Sequence, residues 1–166
     1  SVPAYTYSLN GGPFVASGTF GGLTAGSYTV TAQDGNGCTV TVPYTITQPA
    51  VLAGSISSQT NINCFGANNG SVTVTATGGT IAYTYSIDGG AFGSTSTFGS
   101  LTPGPHTIII NDANGCSVTI PVTITQPTVL ALTTSAVNAI CTSANGSASV
   151  TATGGTPVYT YLWTPS

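Results

Sequence analysis

Between residues 71 and 77 every second side chain is apolar: Val72, Val74 and Ala76 alternate with Ser71, Thr73, Thr75 and Thr77. A strand points successive side chains to opposite faces, so this alternation predicts one face in a core and a hydroxyl-bearing face in water. The same logic predicts strands near 51–63, 82–88, 95–100, 105–111 and 117–125, with a short candidate at 91–93. On the last long strand Val118, Ile120, Val122 and Ile124 take the inward phase and Pro121 the outward phase, as Pro43 does upstream. Proline cannot donate to a ladder, which places both on edge strands. The dipeptides Asn36-Gly37 and Asn114-Gly115 suit the left-handed backbone of a tight hairpin and predict the turns joining the last two strands. No segment carries a helical period.

The pattern also recurs. Tyr5–Gly12 (YTYSLNGG) returns as Tyr83–Gly90 (YTYSIDGG), Asp34–Cys38 (DGNGC) as Asp112–Cys116 (DANGC), and Thr45–Pro49 (TITQP) as Thr123–Pro127, each 78 residues later. Gly70–Thr80 (GSVTVTATGGT) returns as Gly146–Thr156 (GSASVTATGGT), 76 residues later. Gln-Pro forms the natural seam, because proline ends a ladder and stiffens the joint. Residues 1–49 then read as the C-terminal half of a repeat module, 50–127 as a complete module, and 128–166 as the N-terminal half of a following one, an excerpt of a longer array.

Six or seven short strands in each module of about 78 residues predict an all-β chain of tandem immunoglobulin/PKD-like Greek-key β-sandwiches. The run Leu23-Thr24-Ala25-Gly26-Ser27-Tyr28 resembles the corner of such sandwiches at which a tyrosine hydroxyl bonds back to upstream backbone. Its copy, Leu101 to His106, puts a histidine at the tyrosine position. Trp163 aligns with Leu9 and Ile87, which predicts a core residue.

Charge narrows the function classes. The chain has no Lys or Arg and only three acids, Asp34, Asp88 and Asp112, where an ordinary domain is about a quarter charged. Without cations there is no basic patch for phosphates, so neither nucleic acid nor an anionic membrane surface is an expected partner. No apolar run approaches the ~20 residues of a membrane span, and no signal-peptide pattern is present. A net charge of −3 gives little self-repulsion, which suits life inside an assembled layer or fibre. The missing cations also remove every trypsin site and predict a protease-resistant exterior.

The same scarcity argues against catalysis. One His and three scattered carboxylates offer no base beside a nucleophile, so no enzyme and no cofactor are expected, and each Asp reads as a turn residue bonding its own backbone. No two acids lie close enough for the oxygen cage of calcium. With one His and no C-x-x-C, no zinc set is expected either. Lysine–asparagine isopeptide bonds are excluded by the absence of lysine. Asn69-Gly70-Ser71 and Asn145-Gly146-Ser147 match the N-glycosylation pattern at equivalent positions, with a tight turn before a strand as the preferred reading. The outward row Thr73, Thr75, Thr77 reads as a solvated strand face rather than an ice- or sugar-binding one.

Cys64 and Cys116 fall in the complete module, and Cys141 and Cys38 are their respective equivalents. One cysteine of each kind per small, charge-poor β module predicts disulfides and an oxidising, extracellular location. The expected pair is Cys64 with Cys116, whose loop of about 50 residues is worth roughly 3–4 kcal/mol in the chain-entropy picture. Cys38 and Cys141 then have partners outside the sequence. The rival is a cross-link between neighbouring modules, which a seven-strand module favours by setting the two cysteines at opposite poles. Pairing Cys38 with Cys64 is disfavoured by the two extended strands between them.

Taken in order, Cys64, Gly66, Gly70–Thr80, Tyr83–Tyr85, Leu101, Gly104, His106, Asp112–Cys116 and Thr123–Pro127 resemble the SprB-type repeat of gliding-motility and cell-surface adhesins of Bacteroidetes. The resemblance runs along the whole chain, departing at His106 and at Ala148 and Ser149, which stand where the middle module has Val72 and Thr73. It implies a very large outer-surface protein exported by type IX secretion, often filamentous, with adhesion or surface movement as its role and no catalytic residues. The expectation is a structural or adhesive stalk or fibre whose partners are neighbouring repeats or copies of itself. A carbohydrate-binding module acting on surface polysaccharide through exposed Tyr and Thr is the alternative.

Overall fold

The computed structural model describes residues 5–141 and 144–164. Eleven strands and no helix form among them, and every strand pair is antiparallel. The chain divides into two compact units, one ending at Ala50 and one beginning at Val51.

The first unit is a single sheet of β1 (Thr6–Leu9), β2 (Gly26–Gln33) and β3 (Thr39–Ile46), in that order. In the second unit β4 (Ala53–Thr60), β5 (Gly70–Thr77) and β7 (Thr97–Leu101) form one sheet in the order β4-β5-β7. A second sheet has the order β6-β8-β9, from β6 (Thr84–Ile87), β8 (Gly104–Asn111) and β9 (Ser117–Ile124). The short candidate at 91–93 is a single bridge, Tyr85 to Gly93. Further on, β10 (Ala131–Val137) pairs with β11 (Ser147–Thr153).

Alternation places the core as expected. Val72 and Val74 of β5 and Leu101 of β7 meet Ile108 and Ile110 of β8 and Ile120, Val122 and Ile124 of β9, with Ile62 closing one end. Each such side chain contributes about 1.5–3 kcal/mol on burial. Two small sheets around one core are consistent with a β-sandwich. They approach closely at Gly54, where an added Cβ would lie 2.7 Å from the Cδ1 atoms of Ile110 and Ile120. Pro121 sits on the edge strand β9 opposite Thr107, and Pro43 on the edge strand β3 opposite Thr29.

Strand directions fix two poles for residues 51–127. Ala53 pairs with Thr77 at the pole where the chain comes in, and Asn111 pairs with Ser117 at the same end, because Ile110 and Ile120 flank Gly54 there. At the other pole the Ile62 amide donates to the Thr125 carbonyl, beside the end of β9 where the chain leaves.

Positions 78 residues apart differ in burial. Ile120 and Val122 are buried and Val118 half-buried on β9, whereas their counterparts Val42, Tyr44 and Val40 on β3 are 56%, 64% and 63% exposed. Among the described residues the first unit has one sheet, and no second sheet of its own covers that face. Leu130 is exposed while its counterpart Leu52 is buried. Trp163 corrects the sequence expectation: it is 61% exposed, not in a core. Its counterpart Ile87 is held by pairing with Ile108 of β8, and no strand pairs with residues 157–164 among the described residues.

Candidate functional site

The side chains that carry chemistry cluster in corners and turns. At the corner after Leu23 the Tyr28 hydroxyl donates to the Thr24 carbonyl at 2.8 Å, the back-bond its spacing predicted. The next copy makes the same connection with a different group: His106 Nε2 lies 2.9 Å from the Thr102 carbonyl. His106 Nδ1 in turn lies 2.6 Å from Asp88 Oδ2. Both ring nitrogens therefore face acceptors, an arrangement the doubly protonated imidazolium satisfies best. The Thr102 carbonyl first and the Asp88 carboxylate second hold the His106 pKa above its ordinary value. Asp88 is pulled below the usual carboxylate range by its bond to His106 and by the Thr107 amide, which donates to Oδ1 at 2.8 Å.

This pair is a tie, not a catalytic dyad. With one nitrogen on a backbone carbonyl and the other on a carboxylate, the ring has no free position to take a proton from a nucleophile. The Asp88 partner was missed by reading the histidine alone. The signal lay in comparing copies, since Asn10, at the position of Asp88, accepts from the Thr29 amide at 2.8 Å. Tyr with Asn has become His with Asp.

Asp34 and Asp112 fulfil their turn roles. Asp34 Oδ1 accepts from the amides of Asn36 and Cys38, and Asp112 Oδ1 from those of Asn114 and Cys116. Gly37 and Gly115, at φ 86° and 82°, alone supply the left-handed backbone, whereas Asn36 and Asn114 do not. The turns are thus closed by aspartate and glycine rather than by the Asn-Gly pair. Asp112 Oδ2 also accepts from the Thr80 amide at 2.9 Å, the leading cause of its lowered pKa.

Cys64 and Cys116 do not form the expected pair. All four are exposed free thiols. Cys116 precedes the first residue of β9, while Cys64 begins a turn beside the last, where the Gly66 amide donates to Gln126 Oε1 at 3.0 Å. Eight residues of strand separate these ends by about 27 Å, against the ~7 Å limit between Cα atoms of a disulfide.

Asn69 and Asn145 are exposed before β5 and β11 and serve their loops: Asn69 Nδ2 donates to Asn63 Oδ1, and Asn145 Oδ1 accepts from the Ile140 amide. The outward hydroxyls bond across strands, Thr73 to Thr97 and Ser55 to Thr75. Tyr83 and Tyr85 pack against the core, and the Tyr83 hydroxyl donates to the Gly78 carbonyl at 2.6 Å. The exposed tyrosines Tyr5, Tyr44 and Tyr161 all lie outside residues 51–127. An open apolar groove runs between Leu130, Leu132, Val150, Val158, Leu162 and Trp163, on the side of β10 and β11 whose counterpart in β4 and β5 faces the core. Among the described residues no group of three His, Cys, Asp or Glu side chains forms a metal set, and no helix is long and apolar enough to cross a membrane.

A hydrogen bond joins the successive copies. Thr156, the counterpart of Thr80, donates from Oγ1 to the Asn63 carbonyl at 2.9 Å. The start of the 128–166 segment is tied down near the same turn by the Gly155 amide, which donates to Thr128 O at 2.8 Å.

No curated protein matches the chain. Residues 56–92 and 133–166 match the family model of the SprB repeat, a structural repeat associated with cell-surface proteins. The two matches begin inside β4 and β10, the corresponding strands of the two copies. Over these two segments the chain is similar to the SprB repeat family.

Proposed function

We propose that the chain is a stretch of rigid β-sandwich repeats from a large extracellular bacterial surface protein, serving as a stalk or fibre for adhesion or gliding. Each repeat of about 78 residues closes its own immunoglobulin/PKD-like Greek-key sandwich, with 50–127 as the complete one and 1–49 and 128–166 as halves of its neighbours. Support for the closure comes from the back-bonded corner at Tyr28 and His106 and from connections that pass between the sheets after β5, β6 and β7. The observation that carries the reading is directional. Residues 51–127 take the chain in at one pole and release it at the other, and the following segment rests on the exit pole through Thr156 and Asn63. Such units add length rather than bulk.

Neighbouring repeats are then the principal partners, and the charge-poor hydroxyl surface lets copies lie side by side with little repulsion. Export to the cell surface by type IX secretion accords with the family. The test is genetic and graded. Deleting whole repeats in the producing cell should shorten the surface fibre in proportion and weaken attachment or gliding stepwise. An unchanged fibre length, or glycan binding by the intact 166-residue chain that disappears when its exposed tyrosines are changed, would instead favour a carbohydrate-binding module.

A further inference from the structure

We infer that Cys64 is joined by a disulfide to the cysteine of the D-x-N-G-C hairpin in the repeat that follows it, so that a covalent clasp spans each joint of the array. The inference rests on the end-to-end reading above.

Within one repeat the two thiols stand at opposite poles, so neither can reach the other. Cys64 lies at the exit pole, where the next residue upstream, Asn63, accepts the hydrogen bond from Thr156. Thr156 corresponds to Thr80, and Thr80 is the residue to which the hairpin of its own repeat is fastened. The Ala113 amide donates to the Thr80 carbonyl at 2.9 Å, Asn114 Nδ2 donates to Thr80 Oγ1 at 2.8 Å, and the Thr80 amide donates to Asp112 Oδ2. Cys116 follows two residues after Asn114, its amide held by Asp112 Oδ1 at 2.8 Å.

Carried onto the following repeat, these bonds set its D-x-N-G-C hairpin over Thr156, and hence beside Asn63 and Cys64. The chemistry of Thr156 permits both contacts at once. Its hydroxyl donates to the Asn63 carbonyl and keeps its lone pairs for the hairpin asparagine. The arrangement also accounts for one cysteine of each kind per repeat. Every joint of an array receives one thiol from each side, and Cys116 takes the Cys64-type residue of the repeat before it.

Closing the clasp removes one proton and one electron from each thiol. The two electrons pass by thiol–disulfide exchange to an oxidising protein disulfide, which leaves as a dithiol.

The test uses the full-length protein isolated from cells without reductant. Free thiols are alkylated, the protein is cut with pepsin at acid pH, where exchange is suppressed, and linked peptides are sequenced by mass spectrometry. A peptide containing Asn63-Cys64-Phe65 should be bonded to a D-x-N-G-C peptide of the next repeat, with the chain running as a monomer on a non-reducing gel. In Cys64→Ser the single thiol newly open to alkylation should be that of the next repeat's hairpin, with Cys116 still protected. Alkylation of Cys64 in the unreduced protein, a bond from Cys64 to Cys116, release of Cys116 in the variant, or a link between two chains would overturn the clasp. Free thiols in a protein that still forms a beaded fibre would remove the clasp alone and leave the stalk standing.

Discussion

The replacement of a phenol by an imidazole at His106 changes what the corner responds to. Tyr28 makes its back-bond through a hydroxyl, but His106 satisfies both Thr102 and Asp88 only when it carries its proton. Folding raises the His106 pKa, so its contribution is complete below the ordinary value of 6.5 and is lost as pH climbs through the raised one. Folding lowers the Asp88 pKa, so that contribution is complete above 3.8 and is lost as pH falls through the lowered value. Denaturant midpoints should therefore be highest between these limits and fall on either side. The double change His106→Tyr with Asp88→Asn, which restores the pair present at Tyr28 and Asn10, should remove the fall on the alkaline side and leave on the acid side the loss due to Asp112, whose pKa is also lowered. His106→Ala, which strips both bonds from a largely buried site, should cost about 2–3 kcal/mol near pH 5–6, measured by urea unfolding. The corner itself was legible at Tyr28 from its spacing. The ion pair was not, because Asp88 stands eighteen residues away and reads in isolation as a turn residue.

At the scale of strands, phase and burial separate. Which residues of β5 and β9 share a face followed from alternation, a local property of the backbone. Whether that face is buried depends on a second sheet supplied by distant sequence, and the two copies show the difference. Ile120→Ala should cost about 2–4 kcal/mol, as for other large-to-small changes in a core. Val42→Ala, the counterpart 78 residues upstream on an open face, should change stability by no more than about 0.5 kcal/mol. Thermal unfolding of the two variants side by side reads this contrast, and equal losses would contradict the assignment of the core to residues 51–127. Gly54→Val should be worse than its size suggests, by about 1–3 kcal/mol, because β4 crosses the tips of Ile110 and Ile120 there. The same dependence on distant sequence accounts for Trp163. Its strand phase was inferred from Ile87, whose shelter comes from β8.

For the molecule as a whole, the buried core of residues 51–127 and the exposed apolar side chains outside it predict an order of proteolytic attack. Pepsin should cut first at Leu162 and Trp163, which are 89% and 61% exposed outside any strand, and leave residues 51–127 until last. Early loss of the middle segment would place the stable unit elsewhere. The cysteine geometry was hidden from sequence because polarity depends on how many strands lie between the two residues, and one short strand more or less reverses it. The central claim is that the units join end to end, each adding its own length. It is tested most directly by cryo-electron imaging of the native protein with its repeat number known. The account predicts a thin fibre beaded at about 30–40 Å per repeat, the length of an eight-residue strand plus a short joint, with contour length proportional to the number of repeats. A compact particle, or a fibre whose length does not scale with repeat number, would contradict it.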